Sequence, residues 1–267
     1  MLGAVIGDII GSRFEADNHK SKEFDLFTQD SCPTDDSIMT LAVAKALLAS
    51  RKDWSQLSKN AVKYMQEIGR QYPNCGYGGH FFYWIFSDDP QPYGSYGNGS
   101  AMRISPVGFA ADSIEQAKAL SQAVTEVSHD HPEGLKGAEA VAVAIFLART
   151  GSSRHEIRDY IDKNYYSMDF TLDQIREDYS FDVTCQGSVP QAIQAFFESQ
   201  DFEDAIRNAI SIGGDSDTIA AICGGLAEAY YGIPTPIRNQ AMTYLDDHLV
   251  EIVDTFESTY PFRPNSH

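Results

Sequence analysis

The sequence predicts an all-α fold, a single compact multi-helix domain that spans residues 1–267. Apolar residues recur mostly at the three-to-four-residue spacing of an amphipathic helix, and runs with the alternating pattern of a strand are hard to find. No low-complexity linker or shift of composition divides the chain. The predicted helices lie at about 36–50, 54–70, 113–127, 134–149, 153–163, 188–198, 202–212, 216–231 and 236–257.

Three stretches without helical spacing separate groups of these helices. They span 11–34, 87–106 and 164–187, and they are rich in glycine, proline, aspartate, serine and aromatic residues. The second and third are longer than ordinary connections, which makes them candidates for ligand-binding loops. The helices at 36–50 and 216–231 are apolar on most sides and are therefore predicted to be buried.

The composition excludes several classes of protein. A formal net charge of −18 disfavours broad contact with nucleic acid or with an anionic membrane. No segment approaches the roughly 20 apolar residues of a membrane-spanning helix, and no basic region precedes the N-terminal apolar run, as it does in a signal peptide. The four cysteines lack metal-binding or redox spacing, so we expect a cytoplasmic protein with reduced thiols, and a monomer.

Two distant clusters of aspartates have nearly the same layout. Residues 34–37 read Thr-Asp-Asp-Ser, residues 213–218 read Gly-Gly-Asp-Ser-Asp-Thr, and each leads directly into a small, apolar, helix-forming run. Helix capping alone is one interpretation, because these residue types are favourable at a helix N-terminus. Each cluster holds more acids than a cap needs, however, and buried carboxylates are costly unless they are paired, hydrogen-bonded or bound to metal.

Together the two clusters supply only oxygen ligands. Such a set favours Mg²⁺, Mn²⁺ or Ca²⁺ over Zn²⁺. Four or five carboxylates balance the charge of two divalent ions, so a binuclear site is a reasonable prediction. The candidate donors are Thr34, Asp35, Asp36, Asp215, Asp217 and Thr218.

The N-terminal segment adds two further acids. Glycine recurs every four residues over 3–11, which lets a helix pack closely against another helix. Asp8 lies within this segment, where capping or an ion pair with Arg13 is the simplest interpretation. Glu15 opens the polar stretch that follows and is either a mobile functional acid or a solvated surface residue.

A glycine-rich loop occupies residues 97–103, with the sequence Gly-Asn-Gly-Ser-Ala-Met-Arg. Successive free N–H groups in such a loop can form a nest for phosphate oxygens, although a glycine-rich turn alone is weak evidence. Arg103 either helps to bind the phosphate or forms a buried ion pair with an aspartate.

His129 and His131 precede a long apolar helix. Helix capping, or contact with a ribose or a phosphate, is a better interpretation of these histidines than zinc binding, since no third soft ligand lies nearby.

The order and spacing of these motifs resemble those of the ADP-ribosylglycohydrolase family, which includes the dinitrogenase reductase-activating glycohydrolases. The resemblance extends from Gly3 to about Gly232. Its elements are Gly-Asp-x-x-Gly-x-x-x-Glu at 7–15, Thr-Asp-Asp-Ser at 34–37, the loop at 97–103, Ser-His-x-His-Pro at 128–132 and Gly-Gly-Asp-Ser-Asp-Thr at 213–218.

The resemblance implies one all-α domain around a binuclear Mg²⁺ or Mn²⁺ centre. The implied metal ligands are Thr34, Asp35, Asp36, Asp215, Asp217 and Thr218. Glu15 matches a glutamate that approaches the metals and the reacting ribose, and the implied catalytic acids are Glu15, Asp35 and Asp36. The implied substrate-binding residues are Gly97, Asn98, Gly99, Ser100, Met102 and Arg103 around the diphosphate, with His129 and His131 at the ligand pocket.

The expected function is metal-dependent hydrolysis of the glycosidic bond between ADP-ribose and a modified protein residue or small molecule. Two alternatives remain open: a metal-dependent phosphohydrolase acting on a nucleotide diphosphate, and a non-catalytic protein that binds ADP-ribose or has a structural role. The complete acidic set favours catalysis, since binding alone would not need every ligand. Residues 16–33 and 164–187, which would shape the acceptor side, match no subfamily, so the acceptor is not identified.

Overall fold

The computed structural model describes residues 1–262 and confirms the all-α class. Among these residues, β-structure is limited to an isolated bridge between Gly97 and Thr184. The helices are α1 (Leu2–Gly11), α2 (Asp35–Ser50), α3 (Leu57–Gly69), α4 (Gly79–Phe86), α5 (Gly99–Met102), α6 (Ser105–Ala110), α7 (Ile114–Thr125), α8 (Pro132–Arg149), α9 (Arg154–Asn164), α10 (Leu172–Ile175), α11 (Cys185–Phe197), α12 (Phe202–Ile210), α13 (Ser216–Tyr231), α14 (Thr235–Met242) and α15 (Asp247–Thr259). Short 3₁₀ turns occur at Ser12–Phe14 and Trp54–Gln56.

Helix α13 is the centre of the fold. It is buried from Ser216 to Tyr230 and packs against α1, α8, α11 and α12. Helix α2 is buried over most of its length and packs against α1, α3 and α15. As the sequence predicts, both acid-led helices are covered on nearly every side, so their N-terminal carboxylates lie at the edge of an apolar core.

Glycines bring α1 and α13 into direct backbone contact. A Cβ atom added to Gly3 or Gly7 would overlap the main-chain carbonyl of Gly224 or Ala220, respectively. A Cβ on Gly11 would lie 2.6 Å from the Cα of Asp217. The two helices therefore run antiparallel. They lie so close together that a residue larger than glycine would not fit at these positions. This contact places the C-terminal end of α1 beside the acidic start of α13.

Several elements differ from the sequence prediction. The segment expected as one helix at 236–257 is two helices, because Asp246 starts α15 as an N-cap: its side chain accepts from the Leu249 N–H. The Tyr72 hydroxyl also donates to Asp246, at 2.7 Å, which holds this break against the turn that follows α3. Helices α1 and α4 lie outside the predicted ranges, and α5 and α10 lie within stretches expected to be irregular. Tertiary packing, rather than a strong local periodicity, supports these short helices.

Gly7→Ala tests whether the backbone contact holds the fold. The new methyl group would meet the Ala220 carbonyl, so the helices must separate. We expect the free energy of unfolding to fall by about 1–3 kcal/mol or more, the usual cost of overpacking. Denaturant unfolding measures the change. Gly78→Ala is the control, since a Cβ there meets nothing within 4 Å; equal stability losses in the two variants would contradict the proposed constraint.

Candidate active site

A cavity of about 400 Å³ opens beside the N-termini of α2 and α13. It gathers most of the candidate residues from distant parts of the chain. Those that line it are Glu15, Asp35, Asp36, Gly97, Asn98, Gly99, Met102, Arg103, His129, Asp215, Asp217 and Thr218. Thr34, Ser100 and His131 do not line it, and each has a different role in the structure.

One end of the cavity is formed by the carboxylates of α2 and α13. Carboxylate oxygens of Asp36 and Asp217 lie within 4.8 Å of each other and of Asp8, as a metal site requires. A second group, within the same distance, joins Glu15, Asp215 and Asp217. The two groups share Asp217, so the acids of the two distant motifs form one continuous cluster.

Asp8 is the member of this cluster that the sequence interpretation missed. It is fully buried on α1 and does not pair with Arg13, whose guanidinium instead donates to the Asp25 carbonyl. Its carboxylate accepts from the N–H and the hydroxyl of Thr34, at 2.9 and 2.6 Å, and from the N–H and hydroxyl of Ser37. Asp8 directly follows Gly7 of the glycine stripe, and that stripe faces α13. Its place in the sequence was therefore the signal that Asp8 lies near the acids of α13.

Thr34 is the N-cap of α2 and lies behind the carboxylates rather than on the cavity wall. Its hydroxyl donates to Asp8 and accepts from the Asp36 N–H at 3.3 Å. The 34–37 motif therefore uses part of its polar set for capping, as the simpler interpretation expected, whereas Asp215, the N-cap of α13, makes no side-chain capping hydrogen bond. Capping does not account for the remaining acids. Asp36 Oδ1, for example, is buried without a hydrogen-bond partner among the described residues.

The crowded carboxylates hold their protons unusually tightly. Burial, and then the charges of Asp8 and other acids, raises the pKa of Asp35 to about 7. Burial, followed by the charge of Asp217, raises the pKa of Asp36 well above its usual range. The pKa of Asp217 is likewise raised by burial and then by Asp215. No lysine or arginine contributes to these shifts, so the cluster has no cationic partner within residues 1–262.

The acidic cluster fits a metal ion. Its oxygens converge, several are buried, and Asp36 Oδ1 has no other partner among the residues described. Hard divalent cations bind such all-oxygen sets, and their charge would restore the ionised form of the acids. The residues that would hold the ion are Asp36 and Asp217 with Asp8, Asp35, Asp215, Glu15 and the Thr218 hydroxyl.

Glu15 differs from the aspartates because it is exposed. It follows the 3₁₀ turn after α1 and lies at the rim, and burial followed by the charge of Asp215 raises its pKa. The segment after Glu15 is tied to the second acidic motif, since the Asn18 side chain accepts from the Gly214 N–H at 3.0 Å. Gly213 and Gly214 both have positive φ, at 70° and 74°, which this approach requires.

The glycine loop forms a wall next to the acids. The Asn98 amide donates to Asp215 Oδ2 at 2.7 Å and to the Ser188 hydroxyl at 3.0 Å, so it connects the loop to the acidic cluster. The Asn98 N–H donates to the Val183 carbonyl at 2.8 Å. Ser100 is fully buried and donates to the Gly134 carbonyl at 2.9 Å, so it anchors the loop instead of facing the cavity.

Arg103 is fully buried and has no carboxylate partner among the described residues. Its Nη2 donates to the Ser128 hydroxyl at 2.8 Å, and its guanidinium lies over the Phe81 ring, 5.2 Å from the centroid. The alternative of a buried ion pair with an aspartate therefore does not describe this residue. Burial lowers the pKa of Arg103 to about 10, which leaves it cationic at neutral pH.

The two histidines have different positions. His129 is 4% exposed and lines the cavity, and burial followed by the charge of Arg103 lowers its pKa well below the usual value. His131 lies outside the cavity, where its Nδ1 accepts from the Glu133 N–H at 3.1 Å as the N-cap of α8. The ring of His131 packs against Tyr96, with centroids 5.1 Å apart.

The remaining cavity wall is aromatic and apolar. His80, Phe81 and Tyr93 line one side, and the rings of Tyr93 and His129 lie 5.7 Å apart. Phe181 and Val183 line the other side and are 54% and 52% exposed. Tyr93, Phe181 and Val183 lie in the stretches that the sequence interpretation flagged as irregular, whereas His80 and Phe81 lie on α4, and periodicity did not indicate which of these side chains face the cavity.

Comparison with known proteins places the chain in a family. The family model described as ADP-ribosylglycohydrolase matches residues 1–261. ADP-ribosylhydrolase ARH3 of Homo sapiens is 26% identical over 310 residues, which cover 87% of this chain and 84% of the relative. ADP-ribosylarginine hydrolase Tri1 of Pseudomonas putida is 26% identical over 269 residues, covering 87% of this chain and 70% of the relative.

A solved structure supports the fold. An ADP-ribosylglycohydrolase-related protein complex superposes with a TM-score of 0.70 at 22% identity, covering 97% of this chain and 94% of the other. Within residues 1–262, no helix is long and apolar enough to cross a membrane. On the family match, which spans nearly the whole chain, this protein belongs to the ADP-ribosylglycohydrolase family of enzymes.

Proposed function

We propose that the protein hydrolyses the glycosidic bond between ADP-ribose and a modified protein residue or small molecule, with two divalent cations, Mg²⁺ or Mn²⁺, bound by the acidic cluster. The observation that carries the proposal is the single cavity in which uncompensated carboxylates face a glycine loop. The family match and relatives named as ADP-ribosylhydrolases support this chemistry. We propose a cytoplasmic location from the cysteine composition.

The acids and the loop have separate tasks in this proposal. When bound, the divalent ions would supply Lewis acidity, which makes water more acidic and hence more nucleophilic at neutral pH. Asp36 and Asp217, with their neighbours, hold the ions and direct negative charge toward the anomeric carbon, where an oxocarbenium-like transition state develops positive charge. Glu15, at the rim of the cavity, accepts a proton from the attacking water.

The glycine loop and the aromatic wall receive the rest of ADP-ribose. Gly97 and Gly99 line the cavity without side chains, so a diphosphate in the cavity can approach the backbone of the loop. The aromatic rings of Tyr93 and Phe81 supply a surface on which an adenine can stack. The scissile bond would then lie between the acids and the mouth of the cavity.

Asp217→Asn tests the metal assignment. At a concentration 100 times its Kd, Mg²⁺ stabilises a native protein by about 2.7 kcal/mol, and we expect this variant to lose most of that gain. Turnover should fall at least about 100-fold, the scale for loss of one electrostatic stabiliser. Thermal unfolding and an ADP-ribose release assay, each with and without Mg²⁺, measure both effects.

The matched control for this prediction is Asp254→Asn, which changes an exposed aspartate on α15. It should keep both the Mg²⁺-dependent stabilisation and the turnover. Near-normal Mg²⁺-dependent activity in Asp217→Asn would remove this carboxylate from the metal site. Release of AMP instead of ADP-ribose by the unmodified protein would favour the nucleotide phosphohydrolase alternative.

Glu15→Gln separates a catalytic acid from a solvated surface residue. Gln keeps the size of the side chain but cannot accept a proton, so kcat should fall by about 10²–10⁴ if Glu15 acts as proposed. Single-turnover release of ADP-ribose at saturating Mg²⁺, paired with an ADP-ribose binding titration, measures the loss. Glu23→Gln, a change at another exposed acid of the same segment, serves as the control. A drop of less than threefold would place Glu15 outside the chemistry.

Gly99→Val tests the glycine loop. A Cβ at this position lies 3.4 Å from His129 Nε2, so alanine fits, whereas the branched valine side chain fills the space assigned to the diphosphate. We expect ADP-ribose affinity to fall by about tenfold or more, or ~1.4 kcal/mol, in Gly99→Val and much less in Gly99→Ala. Calorimetry measures the affinity, and Mg²⁺-dependent stabilisation should stay unchanged. Equal affinities for ADP-ribose in both variants would indicate that the loop is only a turn and does not contact the diphosphate.

A further inference from the structure

Three buried side chains form a continuous hydrogen-bonded chain behind the cavity. Arg103 Nη2 lies 2.8 Å from Ser128 Oγ, and Ser128 Oγ lies 2.8 Å from His129 Nδ1. Arg103 and Ser128 are fully buried, and His129 is 4% exposed. These bonds therefore form away from bulk water, where leaving a polar group unpaired is costly.

The chemistry of the donors gives this chain a direction. A guanidinium only donates hydrogen bonds, so Ser128 Oγ must accept from Arg103. The hydroxyl proton of Ser128 then has one acceptor among the described residues, His129 Nδ1. The reverse arrangement, with a proton on Nδ1, would leave the buried hydroxyl proton without a described acceptor, at a cost of about 1–3 kcal/mol.

An imidazole that accepts at Nδ1 carries its proton on Nε2 when it is neutral. Burial and the charge of Arg103 both lower the pKa of His129, which is consistent with a neutral ring. Nε2 hydrogen-bonds no other described residue and lies beside the glycine loop: a Cβ on Gly99 or Gly97 would be 3.4 or 3.7 Å away. The Nε2–H group thus lies beside the two glycines, on the part of the cavity wall that they share with His129.

Arg103 acts through Ser128, not on a ligand. Its Nε and Nη1 atoms are buried without hydrogen-bond partners in the described part of the chain, and the Phe81 ring covers the guanidinium. A ligand in the cavity therefore cannot reach these atoms without rearrangement. The guanidinium still sets the orientation of the Ser128 hydroxyl.

We propose that Arg103 and Ser128 are positioning residues that fix His129 as the neutral Nε2–H tautomer, so that it presents one donor to an anionic ligand oxygen beside the glycine loop. The identity of that oxygen, a phosphate oxygen of ADP-ribose, rests on the proposed function. The tautomer of His129 does not rest on the proposed function, because it follows from hydrogen bonds within the ligand-free protein.

Nitrogen-15 NMR of the ligand-free protein tests the tautomer directly. We expect a pyridine-type signal for His129 Nδ1 and a pyrrole-type signal for Nε2, and His129→Asn identifies both by their disappearance. A protonated Nδ1, or an imidazolium, at neutral pH would overturn the proposal. This result stands whether or not ADP-ribose is the ligand.

Ser128→Ala tests the consequence for binding. With ADP-ribose as the probe, we expect affinity to fall about tenfold while Mg²⁺-dependent stabilisation is retained, and Ser128→Thr, which keeps the hydroxyl, to recover most of the loss. Ser121→Ala is the control, since Ser121 is another buried serine whose hydroxyl has no described hydrogen-bond partner.

The outcomes of the binding test are distinct. Affinity in Ser128→Ala within twofold of that in Ser121→Ala would overturn the positioning role, and so would a folded Ser128→Thr that binds no better than Ser128→Ala. If Ser128→Ala fails to fold, the NMR measurement on the unmodified protein decides. Failure of the unmodified protein to bind ADP-ribose would count against the proposed function and leave the tautomer result valid.

Discussion

The direct backbone contact between α1 and α13 is the constraint on which the site depends. Because Gly3, Gly7 and Gly11 face α13 without side chains, the helices approach until their backbones touch. That approach brings Asp8 within 4.8 Å of the Asp217 carboxylate. Asp8 in turn receives four hydrogen bonds from the start of α2, which fixes the third helix of the cluster. A wider spacing between α1 and α13 would separate the acids that the site requires.

This arrangement places an electrostatic cost at the centre of a well-packed core. Asp8, Asp36 and Asp217 are buried together, and burial and mutual repulsion raise the pKa values of Asp36 and Asp217. The cost is sustained because α2 and α13 bury long apolar surfaces on the same helices that carry the acids. Each helix thus has two parts with different roles. Its apolar body stabilises the fold, and its N-terminal turn carries the buried carboxylates.

The sequence predicted the fold class, most helices and the acidic motifs, because each has a local pattern. Helical spacing and acids that precede buried runs can be read without knowing what they contact. The cap that His131 makes on α8 is a local contact, and capping was one of the roles that the sequence suggested for the two histidines. The position of Asp8 depends on which helices meet: the glycine stripe indicates that α1 packs closely against another helix, but a local pattern does not say which one. The break at Asp246 has the same origin, since a contact from Tyr72 on a distant segment supports it.

Under the proposed function, the charges that surround the cavity would couple the binding of its ligands. Carboxylates such as Asp36 and Asp217 occupy one end, and the positive charge of Arg103 is covered by protein behind the other. An approaching diphosphate is repelled by those acids that are ionised, and the covered guanidinium does not contact it directly. Neutralising the acids with divalent cations removes that repulsion. The diphosphate is therefore expected to bind well only after the acidic end is filled, which makes the two ends of the cavity energetically coupled although their residues do not share a helix.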